Sequence, residues 1–229
     1  MHRELVGLSS MATRPILADL CAHLRLADGT RIRFESAGGV EIARRVREGT
    51  EADLLVLAAD AVTALEEAGH LAPGTARPLW RSQVVAAVPA QAPALPLDTV
   101  GDLRTALTSA TAIAYSTGPS GTALLDLLHR LALADTLTDR LVQAPPGVPA
   151  GTLLASGRAD LAFQQHSELM DLPGVTVLGP LPGDTAITSL FTAAVLATTT
   201  APAHAQEALA LLTGDEATRR AEARGMARA

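Results

Sequence analysis

Short apolar runs bounded by turn residues alternate along this chain with longer Ala- and Leu-rich stretches of helical period, the pattern of β-α-β units and hence of parallel sheets. The strand-like runs fall at residues 5–8, 31–35, 54–58, 84–88, 112–115, 161–164, 175–178 and 190–197. Helical periodicity covers 13–26, 39–48, 60–68, 100–107, 121–133, 149–156 and 203–212. The closing stretch 215–229 mixes Arg, Glu and Ala at helical spacing before Gly225, and predicts a terminal helix with a frayed end. The Pro- and Ala-rich 89–96 reads as a connection after a strand, and no internal repeat stands out. The fold class is α/β.

At 229 residues the chain suffices for one large α/β domain or two small interlocked lobes, each with a core. A content of 48% hydrophobic and 18% charged residues excludes the disordered regime. The net charge of -6 provides no field to gather polynucleotides, so nucleic acid is not an expected partner. Every basic residue is Arg; the absence of Lys removes Schiff-base and phosphate-loop lysines, and the absence of Asn removes glycosylation acceptors. Cys21, alone, cannot form an internal disulfide and reads as a buried thiol on an apolar helix. No apolar segment of signal-peptide length precedes residues 5–8, and no uninterrupted apolar run reaches the ~18 residues of a membrane span. These features predict a cytoplasmic protein without membrane insertion, or a periplasmic or extracellular one if an upstream signal was removed.

Three strand-to-helix junctions share one recipe, in which a strand ends, small hydroxyl or Gly residues follow, and a helix begins. They are Ser9-Ser10-Met11-Ala12-Thr13, Ser36-Ala37-Gly38-Gly39 and Ser116-Thr117-Gly118-Pro119-Ser120-Gly121-Thr122. Unpaired N–H groups and the macrodipole make a helix start receptive to an anion, hydroxyls add neutral donors, and Gly lets a ligand approach the backbone. The competing role for a Ser or Thr there is to cap the helix. A fourth polar stretch follows the strand at 161–164. In it Gln164 and Gln165 offer amide hydrogens to an oxyanion, and His166 offers a general base or a solvated loop residue. Arg14 and Arg81 are the guanidinium candidates for a carboxylate, with exposed salt bridges as the alternative. Metal spacings, a phosphate loop and a Gly-x-Ser-x-Gly elbow are all missing, so no metal and no cofactor are expected. Aromatics at 2% leave little on which a sugar or base could stack.

Leu8-Ser9-Ser10-Met11-Ala12-Thr13-Arg14-Pro15, Gly38-Gly39 leading into Ala43-Arg44-Arg45, and Glu51-Ala52-Asp53-Leu54 resemble the molybdate-binding-protein-like (ModA-type) branch of class II periplasmic solute-binding proteins. Trp80-Arg81-Ser82, Ala114-Tyr115-Ser116, the stretch from Gly157 to Leu169, and Pro173-Gly174-Val175 through Gly179-Pro180-Leu181-Pro182 extend the resemblance nearly end to end. It implies a two-lobed, Venus-flytrap fold, each lobe a mostly parallel sheet flanked by helices. Lobe 1 would comprise 1–82 plus 192–229 and lobe 2 would comprise 83–191, with the ligand cleft between them. The resemblance implies ligand contacts at Ser9 and Ser10, at Ser36 with Gly38 and Gly39, at Ser116, Ser120, Gly121 and Thr122, and at Gln164 and Gln165; with Met11, Arg14, Arg81 and Ser82 these make up the candidate ligand-binding positions. Gln164-Gln165 stands where the molybdate binders carry a tyrosine-containing stretch, a departure that bears on ligand identity.

The expected partner is a small anionic molecule, an organic carboxylate or an oxyanion, with transporter subunits as partners only if a leader was removed. Relatives of this fold include aconitate isomerase, so the first functional expectation is a cytoplasmic isomerase or lyase of a small carboxylic acid. His166 and Ser120 are then the catalytic candidates. The alternative is a non-catalytic substrate-binding protein of a molybdate-type ABC transporter, or an anion sensor.

Overall fold

The structure, a computed structural model, describes residues 4–229; the first three positions of the expected first lobe lie outside the described residues. In chain order the first elements are β1 (Glu4–Ser10), α1 (Arg14–His23), β2 (Arg31–Ala37), α2 (Gly39–Arg47), β3 (Leu54–Ala58), α3 (Ala59–Glu67) and β4 (Arg77–Pro89). Next come α4 (Val100–Ser109), β5 (Ile113–Tyr115), α5 (Pro119–Arg130), α6 (Ala134–Leu137), β6 (Leu141–Gln143), α7 (Gly151–Ala155), β7 (Leu161–Gln165) and α8 (His166–Leu169). The last are β8 (Val175–Pro180), β9 (Thr188–Val195), α9 (Pro202–Leu212), α10 (Asp215–Glu222) and β10 (Met226–Arg228). The chain divides into two compact units. The first runs up to Ser82 and resumes at Ser189–Ala229; the second is Gln83–Thr188.

In the first unit β2, β1 and β3 are parallel neighbours, and β9 joins antiparallel beside β3. The run Leu54-Leu55-Val56-Leu57 is apolar throughout because both faces of this sheet are covered. Leu54 and Val56 join Leu5, Ile16, Leu17 and Leu20 in one cluster, whereas Leu55 and Leu57 join Leu8, Ile42, Val46 and Leu65 in another. Helices α1, α9 and α10 therefore cover one face, and α2 and α3 the other. Gly7 is required on the first face: the Phe34 ring lies where a β-carbon at position 7 would project.

The second unit repeats the logic. β7 is antiparallel to β4 and parallel to β5, β5 is parallel to β6, and β8 pairs with β4. Leu161 and Phe163 point toward Leu103, Leu124 and Leu128, under α4 and α5. Ala162 points toward Leu153, Leu154 and Leu169, under α7 and α8.

Each unit holds one parallel pair, β1 with β3 and β5 with β7, with an aspartate. The Asp53 carboxylate accepts the Val6 N–H at 3.0 Å and the Thr199 hydroxyl at 2.6 Å, while its own N–H donates to the Val6 carbonyl at 2.7 Å. The Asp160 carboxylate accepts the Thr111 N–H at 2.8 Å, the Thr111 hydroxyl at 2.7 Å and the Ala112 N–H at 3.0 Å. Burial alone would raise Asp160, but these hydrogen bonds outweigh it and hold its pKa below the ordinary value.

Four features differ from the sequence expectation. The terminal stretch is a helix followed by β10, which pairs antiparallel with β4, in place of a frayed helix end. The short elements β6, α6 and α8 are too brief to show a period. α5 begins at Pro119, whose fixed φ suits a first helical turn, two residues before the expected start. The first predicted helix begins instead as a single 3-10 turn at Met11–Thr13, with α1 following from Arg14.

Two substitutions test this packing by denaturant unfolding. Gly7→Ala should cost about 1–3 kcal/mol, because Phe34 must move. Asp53→Ala should cost about 1–3 kcal/mol by leaving the Val6 N–H without its acceptor; unchanged stability in either variant would contradict the packing described.

Candidate functional site

In the first unit Ser9 and Ser36 are direct partners across the β1–β2 pair, so both side chains leave the sheet on one face. Their hydroxyls lie 2.8 Å apart. Ser9 is fully buried and Ser10 nearly so, and Ser10 Oγ sits 3.4 Å from Thr13 Oγ1. The Thr13 hydroxyl donates to the Ser10 carbonyl at 3.1 Å. Gly38 and Gly39 follow at the start of α2 and keep partial exposure. Met11, in the turn before α1, is also partly exposed.

In the second unit Tyr115 is opposite Phe163, which sets the ends of β5 and β7 side by side. Ser116 Oγ and Ser120 Oγ lie 2.9 Å apart. A β-carbon at Gly121 would overlap the Ser116 carbonyl, so glycine is what lets the first turn of α5 seat against the strand end. Thr122 is exposed one residue further on.

At all three junctions the capping role is unfilled: neither the turn before α1, nor α1, α2 or α5 starts with a side-chain cap. The hydroxyls pair with each other instead. In such a pair one O–H is consumed by the mutual bond and the other hydrogen is left to give, so each pair can donate to an anion while remaining intact.

The arginines part company. Arg14 is exposed and shares with Ser36, Phe34 and Arg31 an open groove of about 620 Å3 along α1 and the edge strand β2. Arg81 stands instead with the C-terminal strand; its Nη1 lies 3.4 Å from the Arg228 carbonyl, and it lines a separate groove with Leu212 and Ala229. Ser82 is buried, and among the described residues its Oγ has no hydrogen-bond partner.

Gln164 and Gln165 are both buried at the end of β7, and His166, partly exposed, opens α8. The Gln164 amide is engaged at both ends: Oε1 accepts the Ala150 N–H at 2.6 Å, and Nε2 donates to Glu168 Oε1 at 2.7 Å. This leaves a single Gln164 N–H for anything else. Glu168 was not singled out from the sequence, although its i, i+4 spacing from Gln164 was there to read. Glu168 keeps intermediate exposure as a residue, yet neighbouring atoms enclose its carboxyl; burial pushes it up to about 7, against the opposing hydrogen bond from Gln164. Burial likewise pushes the Cys21 thiol up to about 11, which leaves it an unreactive packing group.

Among the described residues no three His, Cys, Asp or Glu side chains are placed to hold a metal ion, and no helix is long and apolar enough to cross a membrane.

The whole chain has recognisable relatives. It is 27% identical over 227 residues, covering 97% of this chain and 87% of the relative, to an aconitate isomerase from a Pseudomonas species. Its fold matches the periplasmic molybdate-binding protein of Azotobacter vinelandii with a TM-score of 0.83 at 20% identity, over 98% of this chain and 99% of that one. It also matches the substrate-binding domain of a putative molybdenum ABC transporter from Clostridium difficile, with a TM-score of 0.76 at 19% identity over 99% of each chain. The fold is thus the two-lobed α/β architecture of periplasmic solute-binding proteins. Residues 5–227 match the family described as bacterial extracellular solute-binding protein, and the chain belongs to that family.

Proposed function

We propose that the protein captures a small anion, an organic carboxylate or an oxyanion, on hydroxyl and backbone donors. The observation that carries this reading is the pair of hydroxyl couples, Ser9 with Ser36 at 2.8 Å and Ser116 with Ser120 at 2.9 Å. Each lies at the carboxyl end of parallel strands, the edge at which α/β folds bind ligands. Ser10, the backbone at Gly38 and Gly39, and the start of α5 at Gly121 and Thr122 complete the donor set. Arg14, on the groove shared with Ser36, is the one guanidinium of the two candidates suited to a carboxylate. Arg81 is better explained by packing against the C-terminal strand.

A second reading, isomerisation of a small polycarboxylic acid, is favoured by the aconitate isomerase relative, which aligns with 97% of this chain. Under it the serine pairs stabilise charge that develops as a proton leaves carbon beside a carboxylate. His166 and Ser120 are then the groups available to move that proton.

Thermal stabilisation by molybdate, tungstate, sulfate, phosphate, citrate and aconitate separates the ligand classes, because a ligand bound by the folded state raises Tm. Arg14→Gln should lower the affinity for a carboxylate and leave that for an inorganic oxyanion nearly unchanged. Ser36→Ala and Ser120→Ala should each weaken binding by about 1–3 kcal/mol, and full retention of affinity in both would remove the serine pairs from the site. Proton NMR in deuterated water tests the second reading: aconitate that exchanges or isomerises marks an isomerase, and aconitate that stays unchanged marks a binding protein.

A further inference from the structure

Gln164 joins three pieces of the second unit that are distant in sequence. It lies at the end of β7, takes the Ala150 N–H at 2.6 Å, and gives its own N–H to Glu168 on α8 at 2.7 Å. Ala150 closes the Pro- and Gly-containing segment 145–150 that leads from β6 to α7, and Ala144 just before it donates to the Tyr115 carbonyl at 2.8 Å. That segment therefore borders the strand end that carries Ser116. Contact between α7 and α8 is close as well, since a β-carbon at Gly151 would meet Leu169 and Leu172 at 2.6 Å. The amide is thus a clasp between the segment and α8, and Glu168 is the anchor on the α8 side.

The anchor has little electrostatic support. The elements β7, α7, β8 and the segment 145–150 contain no charged or titratable side chain; β4 and β5, which share a cluster with Leu169 of α8, carry Arg77, Arg81 and Tyr115, yet only burial and the Gln164 hydrogen bond act on the Glu168 carboxyl. On its own stretch of chain the flanking groups are His166 and Asp171. An enclosed carboxyl in these surroundings favours its neutral form, in which it still accepts from Gln164. Once ionised it gains by turning toward water and leaving the clasp.

We propose that Glu168 is a positioning residue, which through Gln164 holds segment 145–150 in place beside the Ser116–Ser120 donors and releases it when the carboxyl ionises. The functional part of this inference rests on the anion-binding reading; the clasp itself does not. The sign follows from the shift of Glu168 to about 7. A carboxyl whose folded-state pKa is raised binds its proton more tightly in the folded form, so ionisation on the alkaline side disfavours the clasped form. An anion bound nearby adds to the repulsion, so capture should weaken as the pH rises through neutrality and should draw in a proton when it occurs.

The first measurement is hydrogen exchange of the Ala150 amide in the ligand-free protein, corrected for intrinsic rates, between about pH 6 and 8. In the wild type protection should fall as pH rises; in Glu168→Gln, which keeps the acceptor without the charge, it should stay high throughout. In Glu168→Ala it should be lower than in Glu168→Gln by about tenfold or more at every pH. Equal protection in wild type and Glu168→Ala at the acid end of the range would overturn the positioning role, and a pH dependence persisting in Glu168→Gln would overturn the role of the proton. The second measurement is aconitate affinity by calorimetry over the same range, expected to decline with pH in the wild type and to be flat in Glu168→Gln. Failure of aconitate to bind at any pH would count against the ligand reading, and the Ala150 amide would still decide the role of Glu168.

Discussion

Parallel strands have no hairpin to fix their register, and the carboxyl edges of both units depend on that register being right. In each unit an aspartate at the start of a strand does this work by reaching across to backbone N–H groups of the neighbouring strand's beginning. Asp53 takes the Val6 N–H beside β3, and Asp160 takes the Thr111 and Ala112 N–H groups beside β7. With the starts aligned, the ends of β1 and β3, and those of β5 and β7, are aligned too. Register matters equally between β1 and β2, where a slip of one residue would turn Ser9 away from Ser36 to the opposite face of the sheet.

Close approach is the second constraint, and glycine supplies it beside the serine couple of each unit. Gly7 lets the Phe34 ring lie over β1, which packs the face on which Ser9 and Ser36 stand. Gly121 lets α5 begin directly against the Ser116 carbonyl, and Ser120 is thereby brought to 2.9 Å from Ser116. Charge takes a smaller part. Ion pairs such as Arg44 with Glu41 and Glu48 lie on an exposed helix face and contribute little each.

The sequence reading located the elements that carry a period. The run at 54–58 became β3 residue for residue, and the continuous burial of 161–164 follows from a sheet with two covered faces. Elements of three or four residues, β6, β10, α6 and α8, have no room for a period and are recruited by neighbours; β10 exists because β4 offers it a partner. The three hydroxyl-bearing junctions were legible from composition and position alone. The Ser9–Ser36 couple was not, because it joins residues 27 apart and depends on strand pairing, and the local Ser116–Ser120 couple depends on how closely α5 seats against the end of β5. No internal repeat stood out, yet Ala52-Asp53-Leu54 and Ala159-Asp160-Leu161 occupy equivalent places, a likeness too short to register before its shared hydrogen bonding was seen. Gln164 was read as a donor to a ligand, but most of its capacity goes to Glu168, four residues on, and to Ala150, which only the folded chain brings near.

Neutral donors and guanidinium select anions on different grounds. Hydroxyl and backbone donors in a dry pocket gain strength from the low dielectric, and they discriminate by size and geometry because they carry no net charge to reward any anion that arrives. A guanidinium rewards a planar carboxylate with two parallel hydrogen bonds. In the first unit both kinds are present but at different depths: Ser9 is fully buried, while Arg14 stands exposed along the groove that Ser36 shares. A compact tetrahedral oxyanion could satisfy the hydroxyls and leave Arg14 in water, gaining nothing from it. Under the proposed anion capture, a molecule with two or more carboxyl groups would draw on both kinds of donor and a single oxyanion on the hydroxyls alone, so the response to Arg14→Gln distinguishes the two classes.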